Sequence, residues 1–497
     1  HAKLRDRLFE VNKRNRLIYF RPTMQTVNLT VSSVPTMLDY RNIRPEQLFT
    51  WQPWLADALA EEKEIPLSRY LRFEDAADLP NSILPSDFPA LDTETVALGR
   101  QLFFDPVLSG NDNIACATCH HPALGTGDAM SLSIGEGGLG LGRMREVVNG
   151  NAPKARIPRN APALFNLGAR EFSTMFHDGR VQLNREAMYG IAMPEGRTLE
   201  RPLSSALAAQ NILPILSHDE MAGHPGENPI ADAIEAEEIH GPNGAWQKIT
   251  DKVEAIEEYR MAFDWIIGKD TPIHITDIGN ALSQFITYEF RATDSPFDQY
   301  LAGKEDALSP EQMAGMEIFY GEGNCASCHS GKFQTDHGFH AIGLPQFGPG
   351  KDDAYSDAGR GMITGDSSDK YRFRTPSLRN VTLSGPYGHN GAYTDLEAMV
   401  RHHLDPFEGL GNYDRRQAAL HELGEAAKDW EPMDDLAEVL RIAMAAEIEP
   451  VELSETEIDQ LMSFLSALED PISRHGRLGV PDRVPSDLPL DPISDPS

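Results

Sequence analysis

"CATCH" occupies residues 116–120 and "CASCH" residues 325–329. The chain of 497 residues has four cysteines, and all four lie in these two stretches. None is left for a separate disulfide framework. A C-x-x-C pair can be a redox dithiol, but neither stretch sits in the βαβ pattern that such a site needs. Two pairs can share one zinc ion, but zinc ribbons space their pairs by roughly 15–20 residues. Here 205 residues lie between Cys119 and Cys325. The third reading uses the histidines as well: two thiols bond the vinyl groups of a porphyrin, and the next histidine ligates its iron. Cys116, Cys119 and His120, and again Cys325, Cys328 and His329, have the residue types and order for two covalently bound haem c groups.

Each motif sits in a repeated setting. "DTETVALGRQLFFD" precedes the first, with Asp92 or Thr93 placed to cap a helix carrying Val96, Leu98, Leu102 and Phe103. "LSPEQMAGMEIFYG" precedes the second, with Ser309 before Pro310 at the first helical turn. Each half also closes on a helical pattern: Ile275, Ile278, Leu282, Phe285 and Ile286 in one, Leu461, Met462, Phe464 and Leu465 in the other. Helix, haem loop and closing helix make the layout of a cytochrome c domain, twice. The expected fold is therefore mainly α. It has two cytochrome c-type haem domains with long loops, residues 92–300 and 301–497, and an N-terminal extension of unknown fold, residues 1–91. "SPFDQYLAGKEDAL" reads as the connector. In the extension, "TVNLTVSS" alternates like a strand and "EQLFTWQPWLADALAEEKE" like a short helix broken at Pro53. The Gly-, Pro- and Asp-rich stretches 341–370 and 471–497 read as ordered loops over haem edges or as tails.

Lys plus Arg is 44 and Asp plus Glu is 76, a net charge of -32. So acidic a surface excludes nucleic acid and anionic membrane as expected partners, and suits a basic protein partner or simple solubility. No run of about 18 apolar residues is present, so no membrane span is expected. Residue 1 is His and no signal peptide follows it; a removed signal or a late start is the expectation. Haem c is attached outside the bacterial cytoplasm, so the expected location is periplasmic.

"LGRQLFFDPVLSGNDNIACATCH", "RNAPALFN", "FHDGRV", "CASCHSGKFQTD" and "FRTPSLRNVTLSGPYGHNGAYTDLEAMV" occur in this order. With them the chain resembles the bacterial dihaem cytochrome c peroxidase and MauG family from about residue 93 to residue 470. The resemblance implies that hydrogen peroxide reacts at the N-terminal haem, ligated by His120, to form a high-valent state. The C-terminal haem, ligated by His329, would then take in or hold electrons. It implies a distal pocket with Gln210, Pro214 and Glu220, where a carboxylate moves a proton between the peroxide oxygens. It also implies a calcium ion between the haems, held by Asn160 and the carbonyls of Ser384 and Pro386, oxygen ligands of the kind calcium prefers.

Three positions depart from the pattern. Glu136 in "SIGEGG" replaces a histidine that blocks the reactive haem in typical peroxidases, so an open distal site is expected; Met144 is the alternative ligand nearby. His177 in "FHDGR" replaces an inter-haem tryptophan. In the helix "TDLEAMVRHH", His403 lies fourteen residues after His389, where peroxidases carry methionine and MauG tyrosine. A bis-histidine second haem is expected, with His402 and Met399 as rivals. His121 is expected to face solvent or a propionate, and His1 binds metal only if it is the true terminus. The expected electron source is a side chain on a partner protein, as in MauG, or a small redox protein, as in the conventional peroxidases. A dihaem electron carrier without catalysis is the alternative of another class.

Overall fold

Asp92 accepts a hydrogen bond from the Thr95 backbone N–H (2.8 Å) and starts the helix Thr93–Phe104. The computed structural model describes residues 79–147, 153–196, 199–351, 355–423 and 428–491. The strand and helix expected before residue 65, and His1, lie outside them. Helices dominate the described residues, and the strands are ribbons of two or three residues.

The first helix crosses Ile275–Glu289 at a glycine. A Cβ on Gly99 would come within 2.1 Å of the Ala281 carbonyl oxygen and 2.8 Å of Phe285 Cβ, so only a missing side chain permits the crossing. The second half repeats the device. Ser309 caps Pro310–Tyr320 in a reciprocal box with Gln312. That helix crosses Glu455–Ser466 at Gly315, whose Cβ would lie 1.9 Å from the Gln460 carbonyl oxygen and 2.8 Å from Phe464 Cβ. Each crossing nucleates its own apolar cluster. Leu102, Phe103, Leu282, Phe285 and Ile286 belong to one, and Phe319, Leu461, Phe464 and Leu465 to the other.

Some expectations need correction. The stretch read as a connector forms the helix Pro296–Leu301, and Phe297 is fully buried in the second cluster. The C-terminal stretch returns to the first half. Val484 is buried in the first cluster. Glu289 accepts three backbone N–H groups, from Arg477, Leu478 and Gly479 (2.7–3.1 Å). The Thr118 hydroxyl donates to Asp491 (2.6 Å). At the other end, residues 79–91 are packed against the body. Phe88 meets Phe333 edge-on, and Asp87 pairs with Lys332 at 2.8 Å.

All strand pairs are antiparallel. β1 (Gly138–Leu139) pairs with β2 (Glu146–Val147), and β4 (Val181–Leu183) lies between β3 (Thr174–Met175) and β5 (Ile191–Ala192). β6 (Phe339–His340) pairs with β7 (Phe373–Arg374). The Arg374 N–H donates to the His177 carbonyl (2.7 Å), which ties β7 to the turn that follows β3. Among the described residues no helix is long and apolar enough to cross a membrane.

Candidate active site

The first motif is a single helical turn, Cys116–Cys119, and His120 follows as its cap. Thr126 O lies 2.9 Å from His120 Nδ1, which leaves Nε2 as the nitrogen for a metal. Burial lowers the His120 pKa, so the ring is neutral, as a ligand must be. Burial also pushes the Cys116 thiol up to about 12 and the Cys119 thiol higher still. An exchange-active dithiol needs the opposite shift. Cys116 packs on the first apolar cluster and Cys325 on the second, which separates the two pairs. His121 is buried, its Nδ1 accepting from the Ala123 N–H and its ring edge-on to Phe104, not facing solvent as expected.

Gln210 is buried near the end of the helix Ala206–Asn211, and Pro214 opens the short turn Pro214–Leu216. Glu220 sits in a π-type turn, His218–Ala222; such turns recur at functional sites. Burial raises the Glu220 pKa, with Lys351 and Arg180 working against it. The "SIGEGG" loop lies directly on this turn. The Glu136 N–H donates to the Asp219 carbonyl (3.0 Å), and a Cβ on Gly135 would lie 2.6 Å from the Glu220 carbonyl oxygen. Glu136 Oε1 accepts from Asn111 (3.0 Å) and Asn113 (2.8 Å). Met144 is 64 % exposed.

A buried polar seam joins residues of the two halves. Burial, then the nearby Arg159 cation, push His177 down to about 4. Its ring is neutral, and Nε2 lies 3.1 Å from the Asn160 carbonyl, so Nε2–H donates there. Asn160 Nδ2 donates to the carbonyls of Met130 (2.7 Å) and Ser131 (3.3 Å), and its N–H to the His389 carbonyl. Among the described residues its amide oxygen accepts no hydrogen bond. Among the described residues no hydrogen bond ends on the carbonyls of Ser384 or Pro386. Arg159 pairs with Asp357 at 2.6 Å and with Asp178 at 2.5 Å.

The second motif is a 3-10 turn, Cys325–Ser327, and His329 Nδ1 lies 3.2 Å from Gln334 O. Across from it the helix Leu396–Leu404 presents His403, whose Nδ1 lies 2.9 Å from Met399 O. The two rings are 6.2 Å apart between centres and tilted by 59°. Two metal–nitrogen bonds of about 2 Å, plus the distance from Nε2 to each ring centre, add up to this spacing. His402 points elsewhere, perpendicular to His403, and is buried against Tyr393. Cys328, Asp336 and His340 also come within 4.8 Å of one another; the sulfur is the one the motif assigns to a porphyrin vinyl.

The description Di-haem cytochrome c peroxidase matches residues 93–306. The methylamine utilization protein MauG of Methylorubrum extorquens is 28% identical over 393 residues, 78% of this chain and 82% of that protein. The cytochrome c peroxidase Ccp of Escherichia coli is 30% identical over 325 residues, 65% of this chain and 55% of that protein. The chain belongs to the dihaem cytochrome c peroxidase and MauG family. It is an oxidoreductase of that family. Among solved structures, the diheme peroxidase BthA from Burkholderia thailandensis aligns with a TM-score of 0.52 at 19% identity, covering 80% of this chain and 94% of that one. A MauG-like protein associated with microbial copper homeostasis gives 0.51 at 24%, covering 80% and 95%. These two likenesses concern the fold.

Haem is the cofactor the family implies, and the residues fit it. Three half-buried imidazoles, His120, His329 and His403, have Nδ1 engaged by a carbonyl. Arg374 is half-buried, desolvation lowers its pKa to about 10, and among the described residues its side chain bonds only the carbonyls of Phe176 and Thr375. A porphyrin propionate is the kind of anion such a cation lacks. Sequence reasoning missed Arg374. It also gave no role to His389, whose buried ring stacks on Phe373 at 3.6 Å and leaves Nδ1 without a partner among the described residues. Neither has a local signal, because both acquire their meaning from segments far away in the chain.

Proposed function

We propose that this oxidoreductase carries two covalent haem c groups in residues 92–300 and 301–497 and reduces hydrogen peroxide at the first. The observation that carries this reading is an asymmetry. His329 has a second imidazole facing it at 6.2 Å, whereas among the described residues His120 makes no ring contact. The loop that brings a blocking histidine in typical peroxidases brings Glu136 here, with one carboxylate oxygen taken by two asparagine amides. The exposure of Met144 argues against it as the alternative ligand.

Haem, when bound, supplies the redox-active iron at which peroxide is reduced. Glu220 accepts the proton of one peroxide oxygen and returns it to the other, which turns a poor leaving group into water. Its burial suits this role, since a raised pKa narrows the gap between accepting and donating. Gln210 and Pro214 shape the pocket and orient the peroxide. His403 completes a bis-histidine site with His329, and Arg374 offsets a propionate charge. His177 holds the bridge between the halves through Asn160. The free amide oxygen of Asn160 and the two unengaged carbonyls, Ser384 and Pro386, are a donor set for calcium.

The MauG-like reading, with a protein side chain as electron source, is favoured by the open side of His120. His177 in place of an inter-haem tryptophan favours the second reading, a conventional peroxidase served by a small redox protein. Haem c attachment and the family's members support a periplasmic location. The electron paramagnetic resonance spectrum of the oxidised protein tests the proposal: one high-spin and one low-spin haem are expected. Two low-spin haems at neutral pH overturn the open-site reading, and two high-spin haems overturn the His403 ligation.

A further inference from the structure

His402 is not a bystander to His403. Its Nε2 lies 2.8 Å from the Ile342 carbonyl, so Nε2 carries the proton and Nδ1 accepts. The group donating to Nδ1 is the phenol of Tyr393, at 3.0 Å. Tyr393 is 3 % exposed. From this pair the aromatic rings continue outward. Tyr393 meets Tyr413 at 5.5 Å between ring centres, and Tyr413 meets Trp430 at 6.3 Å. Inward, His402 is 5.3 Å from Tyr393 and 6.4 Å from His403. Trp430 is half-buried, backed by Phe347 at 5.0 Å and covered by the guanidinium of Arg415 at 4.9 Å. Arg415 in turn pairs with the exposed Asp434. An unbroken run of rings thus leads from the second motif's distal histidine to the surface.

We propose that Tyr393 is a redox-active tyrosine and that Tyr413 and Trp430 connect it to an electron-rich aromatic side chain on a protein docked over Trp430. This rests on the peroxide reading above. The chemistry follows from the hydrogen bonds. A neutral phenol is hard to oxidise unless its proton has somewhere to go. One electron leaves Tyr393 toward the haem side, its O–H bond breaks, and the proton forms an N–H bond at His402 Nδ1. A neutral phenoxyl and an imidazolium result. When an electron arrives from outside, the proton returns to the phenolic oxygen. Two such cycles supply the two electrons that, with two protons, convert one hydrogen peroxide to two waters.

The other two rings have different roles. Tyr413 donates its hydroxyl to the Ala392 carbonyl, which is no base, so it conducts the electron without holding the vacancy. A cation over the face of Trp430 opposes a positive charge on the indole. The vacancy therefore rests on Tyr393, and Trp430 passes electrons inward.

The test is freeze-quenched electron paramagnetic resonance of the holoenzyme after hydrogen peroxide, with a soluble phenol as probe donor. The wild type is expected to give a free-radical signal that changes shape when its tyrosines are deuterated. Tyr393→Phe, which keeps the ring and removes one hydroxyl, is expected to lose most of that signal. Trp430→Phe is expected to keep the signal but to slow its quenching by the phenol severalfold. A signal unchanged in Tyr393→Phe, or quenching at the wild-type rate in Trp430→Phe, overturns the route while the peroxide reading stands. If peroxide leaves the haem absorption of the wild type untouched, both fall together.

Discussion

Burial decides what Glu220 can do. An isolated carboxylate in a dry site is costly, so the proton is held more tightly than in water. The folded pKa of Glu220 lies above its usual 4.5. The acting form is the base, so the rate of reaction with peroxide is expected to fall on the acid side with a midpoint above 4.5. In Glu220→Gln that limb should vanish and the rate drop by about 10²–10⁴-fold, as for other proton-transfer groups. Rapid-mixing rates across pH check both outcomes. At the second motif the expectation is spectroscopic. His403→Ala should turn the second haem high-spin, or open it to added ligands, and leave the first haem's spectrum as it was. A surviving low-spin signal would mean that another group, such as Met399, holds that position.

The helical elements were the legible part of this chain, for a physical reason. Caps and 3.6-residue periodicity are local, so Asp92, Ser309 and the two closing helices could be placed from neighbouring residues alone. The helices Pro229–Glu235, Ala245–Glu254 and Glu257–Ile267 were overlooked, although Asn228 before Pro229 is a readable start signal. The glycines at the two crossings were invisible, because what they touch lies far along the chain. Gly315→Val tests that role. Its side chain would enter the Gln460 carbonyl, and overpacking of a tight crossing costs about 1–3 kcal/mol or more. The melting temperature is expected to fall further for Gly315→Val than for Gly303→Ala, since nothing lies within 4 Å of the Gly303 Cβ position and only its φ of +97° adds strain there.

At the scale of the whole molecule the two halves are joined by charge buried in the seam around Arg159. Its side chain and those of Asp178 and Asp357 are each under 7 % exposed. Burial opposes ionisation of both carboxyls, but the Arg159 guanidinium outweighs it and holds both below the usual 3.8. Groups with depressed folded pKa values stabilise above the unfolded pKa and lose that contribution as pH falls through the folded values. Acid unfolding below about pH 4 is therefore expected to draw on this seam. Arg159→Met strands the buried Asp357 carboxylate and leaves Asp178 only its partner Arg180, at a cost of roughly 3–5 kcal/mol. The loss measured by denaturant titration should be smaller at pH 4 than at pH 7, because protonation then relieves the stranded charges. None of this could be read from sequence, since residues 159 and 357 are paired across the chain. The return of the C-terminal stretch to Asp105, Thr118 and Glu289 was equally hidden: it is carried by single polar contacts without periodicity. The two CxxCH motifs stand out because their chemistry is contiguous; that His403 lies across from His329 could be anticipated only by counting from His389 along a resembling loop.

The most direct test of the central claim is stopped-flow mixing of the fully oxidised protein with hydrogen peroxide, following the haem absorption. The account requires a rapid change in the ferric protein with no electron added beforehand, because among the described residues no second ring faces His120 as His403 faces His329. Slow bleaching alone, or a response only after one haem has been reduced, contradicts it.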